Sequence, residues 1–489
     1  MQLAQQSIPM CPQAAEPIQQ NWIPLTSLEE MEHRDYDALI VGSGAGGGAA
    51  LWRLCQRWGA DKAIGVVEAG DTLLNTHARN VSTLTSESRF ASYLRAVKEP
   101  VEGSFPDFSG AMQVIAFGGR MLFWTAIAPR PYSGELACWP VSKRELDYYF
   151  GVAERAMNVR SYFAFKYPMW EALLNGLLNN GFPQAQYAPR ALDFEPLKYD
   201  GTINSDVYFS SIDFFGEGLH LRPYDLAMNA RAVRILTCGG RACGVEVVRP
   251  DKRTFRLRAK TVILAAGTFQ TPRLLLNSAI PGANIGHYLW NHSYVRTGVQ
   301  MGPDWFASGI SFAAFPYALL VPQTNGHPYQ IQIYPMGMPV EKKLDLNAFG
   351  RVEPRHANRV YLDPYKKDAY GVPEIRVQFA YSDRDWAVIA QMRQTLLQVA
   401  AAWGAVIQPP GICMLPPGAD SHESGTCRMG TDPATSATNP FGQIHGVPGL
   451  FVADNSVLPS TGGANPTLST IALAIRTADY IAGRIEFHR

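Results

Sequence analysis

At 489 residues the chain is about three times a typical domain length, which excludes one small core and leaves room to enclose a cofactor between two interleaved domains. Hydrophobic residues make up 47% and charged residues 17%, a globular composition that excludes a disordered chain. The formal net charge of +1 carries no electrostatic footprint of a nucleic-acid or anionic-membrane binder, so a small molecule is the expected partner.

Residues 1 to about 33 are rich in Gln and Pro and lack both a basic n-region and an apolar h-region; we read them as a loose arm ahead of a cytoplasmic chain. From Tyr36 the pattern changes. Tyr36 to Val41 predicts a short apolar strand, Gly42-Ser43-Gly44-Ala45-Gly46-Gly47 a glycine turn, the residues to about Trp58 a helix, and Ala63 to Glu68 a second strand. Gly42, Gly44 and Gly47 stand at the positions of G-x-G-x-x-G in this βαβ unit. One glycine makes the tight turn, Gly44 lets backbone approach a pyrophosphate, and Gly47 lets helix and strand pack closely. The helix N-terminus then offers free N–H groups to the phosphates. Glu68 ends the second strand, where a carboxylate can accept hydrogen bonds from an adenosine ribose. A ligand-free turn and a solvated strand-end acid are the plain alternatives, and their combination in one unit weighs against both. NAD and FAD share this unit, so it does not choose between them.

Further along, Arg241 to Val248 and Phe255 to Leu257 predict hairpin strands, Thr261 to Ala266 a buried strand ending at Gly267, and Thr271 the start of a helix. Between about Gly286 and Pro417, alternating stretches such as Tyr329 to Tyr334 and Ile375 to Phe379 predict a half-exposed antiparallel sheet in a second domain. Ile389, Met392, Leu396, Val399 and Trp403 recur on one face of a helix expected to pack on that sheet. The chain closes with a strand, Leu450 to Ala453, and a helix from Thr467 to Ile485. Seven cysteines without a C-x-x-C pair indicate neither a disulfide framework nor a zinc site, which fits a reducing compartment and no metal.

Four separated motifs, in this order, resemble the glucose–methanol–choline (GMC) oxidoreductase family. They are Phe117-Gly118-Gly119-Arg120 to Pro129-Arg130, the strand through Ala266-Gly267 to Thr271-Pro272-Arg273, His422-Glu423-Ser424-Gly425-Thr426-Cys427, and Ala453-Asp454-Asn455-Ser456 to Asn465-Pro466-Thr467. The resemblance runs from Tyr36 to about Ile485. It implies FAD, an α/β fold with a Rossmann-type FAD-binding domain and an interleaved substrate domain built on an antiparallel sheet, and oxidation of a CH–OH group. The expected division is an arm over 1–33, an FAD-binding domain over 34–285 with a flavin-covering insertion at 105–190, a substrate domain over 286–421, and a return to the FAD-binding domain over 422–489. By the same resemblance Gly118, Gly119, Ala266, Gly267, Pro466 and Thr467 line the cofactor, and Asp454 holds its ribityl chain.

Trp124-Thr125, Glu353-Pro354-Arg355 and Lys367-Asp368-Ala369-Tyr370-Gly371 are similar to the pyranose-oxidase-like branch, which also holds alcohol oxidases of aminoglycoside biosynthesis. Pyranose oxidases carry a flavin-tethering histidine before the Trp-Thr pair. Phe123 stands there in this chain, so the FAD is expected to be non-covalent. Counterparts of His422 and Asn465 meet above the flavin N5 in the family. A neutral imidazole, with an ordinary pKa near about 6.5, suits an acceptor of the hydroxyl proton, and an Asn amide can donate to the same oxygen as charge grows there. Capping the helix that begins near Pro466 is a role for Asn465 compatible with that one, since Asn is also a good N-cap. Cys427 and His292 read as structural, and Glu423 as either a surface group or a carboxylate facing an amino-sugar. The expected substrate is a sugar-like alcohol, aminoglycosides included, with O2 or another electron acceptor. Two alternatives stay open: an FAD-containing hydroxynitrile lyase and a non-catalytic FAD-binding protein.

Overall fold

Short runs of four or five apolar residues between glycine turns can be buried on both faces, which is the requirement of a strand at the centre of a parallel sheet. In the computed structural model, which describes residues 22–84, 87–101, 103–161, 168–193, 208–302, 305, 318–336 and 343–483, such runs meet in one sheet. The elements used below are, in chain order, β1 (Ala38–Val41), α1 (Ala45–Arg57), β2 (Ile64–Val67), β3 (Asp225–Ala227), β4 (Val262–Leu264), α2 (Gly267–Asn277), β5 (Ser293–Gln300), β6 (Leu319–Val321), β7 (Tyr329–Met336), β8 (Lys343–Gly350), α3 (Asp383–Ala402), β9 (Leu450–Val452) and α4 (Thr467–Ile481).

The parallel sheet has the order β3-β2-β1-β4-β9, so strands from three distant parts of the sequence lie side by side. Helix α1 crosses it with glycines on the contact face. A Cβ built on Gly46 would lie 1.5 Å from the Ala453 carbonyl oxygen, and one on Gly47 would lie 2.0 Å from that of Gly42. Helices α1 and α4 are joined by Arg53, whose guanidinium makes two 2.8 Å bonds to buried Asp479; Arg57 and the Tyr149 hydroxyl share that carboxylate. A buried acid paired in this way avoids the cost of an uncompensated charge. Beside the parallel sheet a meander of Arg231–Cys238, Arg241–Val248 and Thr254–Ala259 adds the short strand Asp35–Tyr36 at its edge.

The second sheet is antiparallel, with the sequence β5-β8-β7-β6 at its centre. Alternation divides each strand. Val295 and Val299, Ile331 and Ile333, and Leu344 and Leu346 turn to one face and cluster with Met392, Leu396 and Val399 of α3. The opposite face, carrying Tyr294, Arg296, Gln332, Tyr334, Asp345 and Asn347, borders a large cavity. It is not the solvent face that the alternation suggests: Gln330 and Gln332 are 2% and 1% exposed.

Several expectations need correction. Residues 1–21 of the arm lie outside the described residues, but Leu28–Glu32 is a helix with a Ser27–Glu30 capping box and buried Leu28 and Met31, docked through Thr26 to Leu226. Helix α2 begins at Gly267, one turn before Thr271, because a left-handed glycine (φ 88°) lets the strand turn straight into it. The last helix ends at Ile481, and residues from 484 onward lie outside the described residues. Cys238 and Cys243 are joined in a disulfide across a hairpin closed by Gly239-Gly240. A register shift in that hairpin lets Cys243 face Cys238 at a Cα separation of 5.9 Å, within bridging reach. Among the described residues no helix is long and apolar enough to cross a membrane.

Candidate active site

The glycine turn builds one end of the cavity. Gly42 is left-handed (φ 101°) with its Cα against the Ala265 carbonyl, so no side chain fits there. Gly44 caps α1 from an extended conformation, and a Cβ on it would meet nothing within 4 Å. Gly119 faces it: its Cβ would lie 3.7 Å from the Gly44 Cα. Ser43 ties these two segments together, donating its hydroxyl to Glu68 at 2.6 Å and accepting from the Gly118 N–H at 2.9 Å. Glu68 also accepts from the Ser43 and Gly70 N–H groups, and burial pushes its carboxyl above the usual range. Ala266 and Gly267 start α2 at the same cavity. Asp454 accepts from the Gly267 N–H, the Thr271 hydroxyl, and the Ser456 N–H and hydroxyl, so it locks the end of β9 to the start of α2.

The cavity, of about 810 Å3, continues from Glu68 past Gly44 and Gly119 to His422, Asn465, Pro466 and Thr467. At that end His422 Nε2 and Asn465 Nδ2 are 3.1 Å apart, although 43 residues separate them. The orientation of Asn465 follows from its neighbours. Its Oδ1 accepts from Gln330 Nε2 at 2.8 Å and from Gln332 Nε2 at 2.5 Å, while the Tyr334 hydroxyl donates to Gln332 Oε1 and fixes that amide in turn. Asn465 must then present its NH2 to His422, which leaves Nε2 of His422 as the unprotonated nitrogen of a neutral ring. Burial, His292 and Arg120 hold the His422 pKa well below its ordinary value, so the ring stays neutral in the physiological range. Its side chain keeps 12% of its surface, which gives a small molecule access from the cavity.

Two stretches of the chain, residues 135–294 and 354–474, match the models of the family described as GMC oxidoreductase. The chain belongs to the GMC oxidoreductase family. It is 28% identical to a C-glycoside 3-oxidase of Arthrobacter globiformis, covering 91% of this chain and 95% of that protein. It is 27% identical to a 6'''-hydroxyparomomycin C oxidase of Streptomyces lividus, covering 93% of each. Among solved structures, a formate oxidase of Aspergillus oryzae superimposes with a TM-score of 0.69 at 14% identity, over 92% of this chain and 98% of that one. That likeness shows the α/β fold of the family.

GMC membership implies FAD, and the residues present fit it. The open space beside Gly44, opposite Gly119 and at the N-terminus of α1, is a cradle that a Cβ would begin to fill. The cavity is long enough to reach from there to His422.

Glu423 belongs neither to the surface nor to the cavity wall: it is fully buried and paired to Arg120 at 2.7 Å. Asn465 does not cap α4 with its side chain, since its carbonyl oxygen is taken by the two glutamines. The ordinary imidazole pKa assumed for His422 is replaced by a strongly lowered one. His292, read as structural, is fully buried with its Nδ1 2.8 Å from Nδ1 of His422. Cys427 is buried, and burial pushes its thiol up. Sequence reasoning missed Gln330, Gln332, Tyr334 and Asp420. The first three were visible as alternate polar residues, but alternation alone does not say whether a polar face meets water or a cavity.

Proposed function

We propose that this GMC oxidoreductase binds FAD without a covalent link and oxidises a CH–OH group of a sugar-like, hydroxyl-rich substrate, with His422 as the base and Asn465 as the donor to the reacting oxygen. The observation that carries the reading is the convergence of His422 Nε2, as an unprotonated ring nitrogen, and Asn465 Nδ2 at the far end of the cavity that begins at the glycine turn. Gly42, Gly44, Gly47, Glu68, Gly118, Gly119, Ala266, Gly267, Asp454, Pro466 and Thr467 are assigned to the FAD end.

When bound, FAD supplies the acceptor for the hydride of the carbinol carbon. His422 Nε2 takes the hydroxyl proton, and Asn465 Nδ2 donates to the oxygen as negative charge grows there. The polar wall selects the substrate. Tyr294 donates to Asn347, Arg296 pairs with Asp345 at 2.9 Å, and Tyr334 donates to Gln332, a row of donors and acceptors matched to a molecule with several hydroxyls. The names of the two relatives, a C-glycoside oxidase and a hydroxyparomomycin oxidase, favour a sugar or an aminoglycoside. Phe123, packed against Phe90 and Tyr93, offers no nucleophile for a tether.

Anaerobic mixing of the FAD-loaded protein with D-glucose, a flavone C-glucoside and paromamine should bleach the flavin with at least one of them. Acid precipitation should leave the flavin in the supernatant. A flavin that no polyol bleaches would contradict the proposed activity.

A further inference from the structure

Some buried acids in this molecule are matched by cations, as Asp479 is by Arg53 and Arg57, Glu145 by Arg476, Asp368 by Arg273, and Glu423 by Arg120, while Glu68, Asp385 and Asp454 are held by backbone N–H and hydroxyl donors. Asp420 belongs with the second group: its side chain is fully buried, and among the described residues no lysine or arginine forms an ion pair with it; its donors are the His292 N–H at 2.9 Å and the Asn291 amide at 3.2 Å. What it faces is a pair of imidazoles. Asp420 Oδ2 lies 3.5 Å from His422 Nδ1 and 3.9 Å from His292 Nδ1, and those two nitrogens are 2.8 Å apart. With Nε2 of His422 unprotonated, its Nδ1 carries the proton and donates to His292 Nδ1.

We propose that Asp420 and His292 form a buried acid–imidazole chain behind His422 that offsets the positive charge this ring gains on taking the substrate proton, which makes both of them positioning residues for the oxidation. The inference rests on His422 being the base. The balance is simple: the substrate O–H bond breaks, an N–H bond forms at His422 Nε2, and the Nδ1 proton stays in its hydrogen bond to His292. The charge appears on the ring within reach of the Asp420 carboxylate. An arginine in contact with Asp420 would already neutralise it; two neutral imidazoles leave its charge available until the proton arrives.

The groups facing this chain are His292 just before β5, Tyr294 of β5, Tyr381, Glu423 and His422 of the return segment, and Arg120 beyond His422. Burial, followed by repulsion from Glu423, pushes the Asp420 carboxyl up to about 7. The His422 ring is held neutral far below that. The sign follows: above about 7 Asp420 is a carboxylate that supports a charged His422, and below it Asp420 is neutral and gives no support. The acid limb of the reaction then belongs to Asp420 and not to the base itself.

The test uses FAD-loaded full-length protein and anaerobic flavin reduction across pH, with D-glucose, a flavone C-glucoside and paromamine as reductants. The wild-type rate should rise through a limb centred near 7. Asp420→Asn, which keeps the shape, should retain FAD and substrate affinity, reduce on the order of 10- to 10²-fold more slowly above the limb, and lose the limb. Asp420→Glu should restore a limb. Infrared titration gives a reading without substrate: a protonated-carboxyl band that disappears near 7 in the wild type should be missing in Asp420→Asn. Wild-type rate and an intact limb in Asp420→Asn, or a wild-type protein lacking that titrating band, would overturn the chain. A His422→Ala protein that reduces at the wild-type rate would instead overturn the underlying assignment of the base.

Discussion

At the glycine turn the cavity is shaped by missing side chains: Gly46 and Gly47 let backbone touch backbone, and Gly44 and Gly119 leave a gap between them. At the polar wall the cavity is shaped by side chains from three strands, Tyr294 of β5, Gln332 and Tyr334 of β7 and Asn347 of β8, that hold one another in place, ending at Asn465 and His422. The difference teaches where each kind of site can fail. A glycine cradle fails by steric overlap, and the loss is in folding or in cofactor. A hydrogen-bonded wall fails by loss of orientation, and the loss is in rate.

The largest expected effect is at Gly46. Gly46→Val would place a Cβ 1.5 Å from the Ala453 carbonyl oxygen, with backbone on both sides, and should cost roughly 3 kcal/mol or more. Thermal unfolding of FAD-free protein would show a large fall, or no cooperative transition at all. Gly44→Val sharpens the comparison, because its Cβ meets nothing within 4 Å. The FAD-free variant should unfold like the FAD-free wild type, yet purify colourless and miss the stabilisation that bound cofactor adds. A yellow Gly44→Val protein would break the account of the cradle.

At the other end the folded, yellow state should survive and the rate should fall. Asn465→Ala removes one donor to the developing alkoxide and should slow flavin reduction by about 10- to 10³-fold. Gln332→Leu leaves Asn465 in place but removes one of the two amides that orient it, and should cost on the order of 10-fold. Tyr334→Phe removes only the hydroxyl that fixes Gln332 and should cost a few-fold. Stopped-flow reduction checks all three, and equal losses for the three would show that they do not act in series through Asn465.

The same contrast explains what was legible in the sequence. The glycine spacing, Glu68 and the strand–turn–helix grammar are local, so Gly42, Gly44 and Gly47 could be named from a window of six residues. Gly46 could not be ranked, since its contact is with Ala453, some four hundred residues away. His422 and Asn465 were legible only through family motifs; no local pattern places them together. The glutamines were hidden by an ambiguity of period two: an alternating strand has a polar face, and only the tertiary fold decides whether that face meets solvent or a cavity. Asp420 was hidden because an acid two residues before a histidine is unremarkable until both are seen packed beside His292. The Cys238–Cys243 bridge was missed because a hairpin register shift, not a motif, brings the pair together.

The central claim is that one end of the cavity holds FAD and the other moves a proton, so the two functions should separate in a single protein. Anaerobic stopped-flow reduction of FAD-loaded His422→Ala tests this most directly, with Asn465→Ala and the double variant beside it. The single variant should bind FAD as the wild type does and reduce about 10²- to 10⁴-fold more slowly, and the double variant should lose much less than the product of the two single losses, because both groups act on one oxygen. A yellow His422→Ala protein that reduces at the wild-type rate would contradict the account.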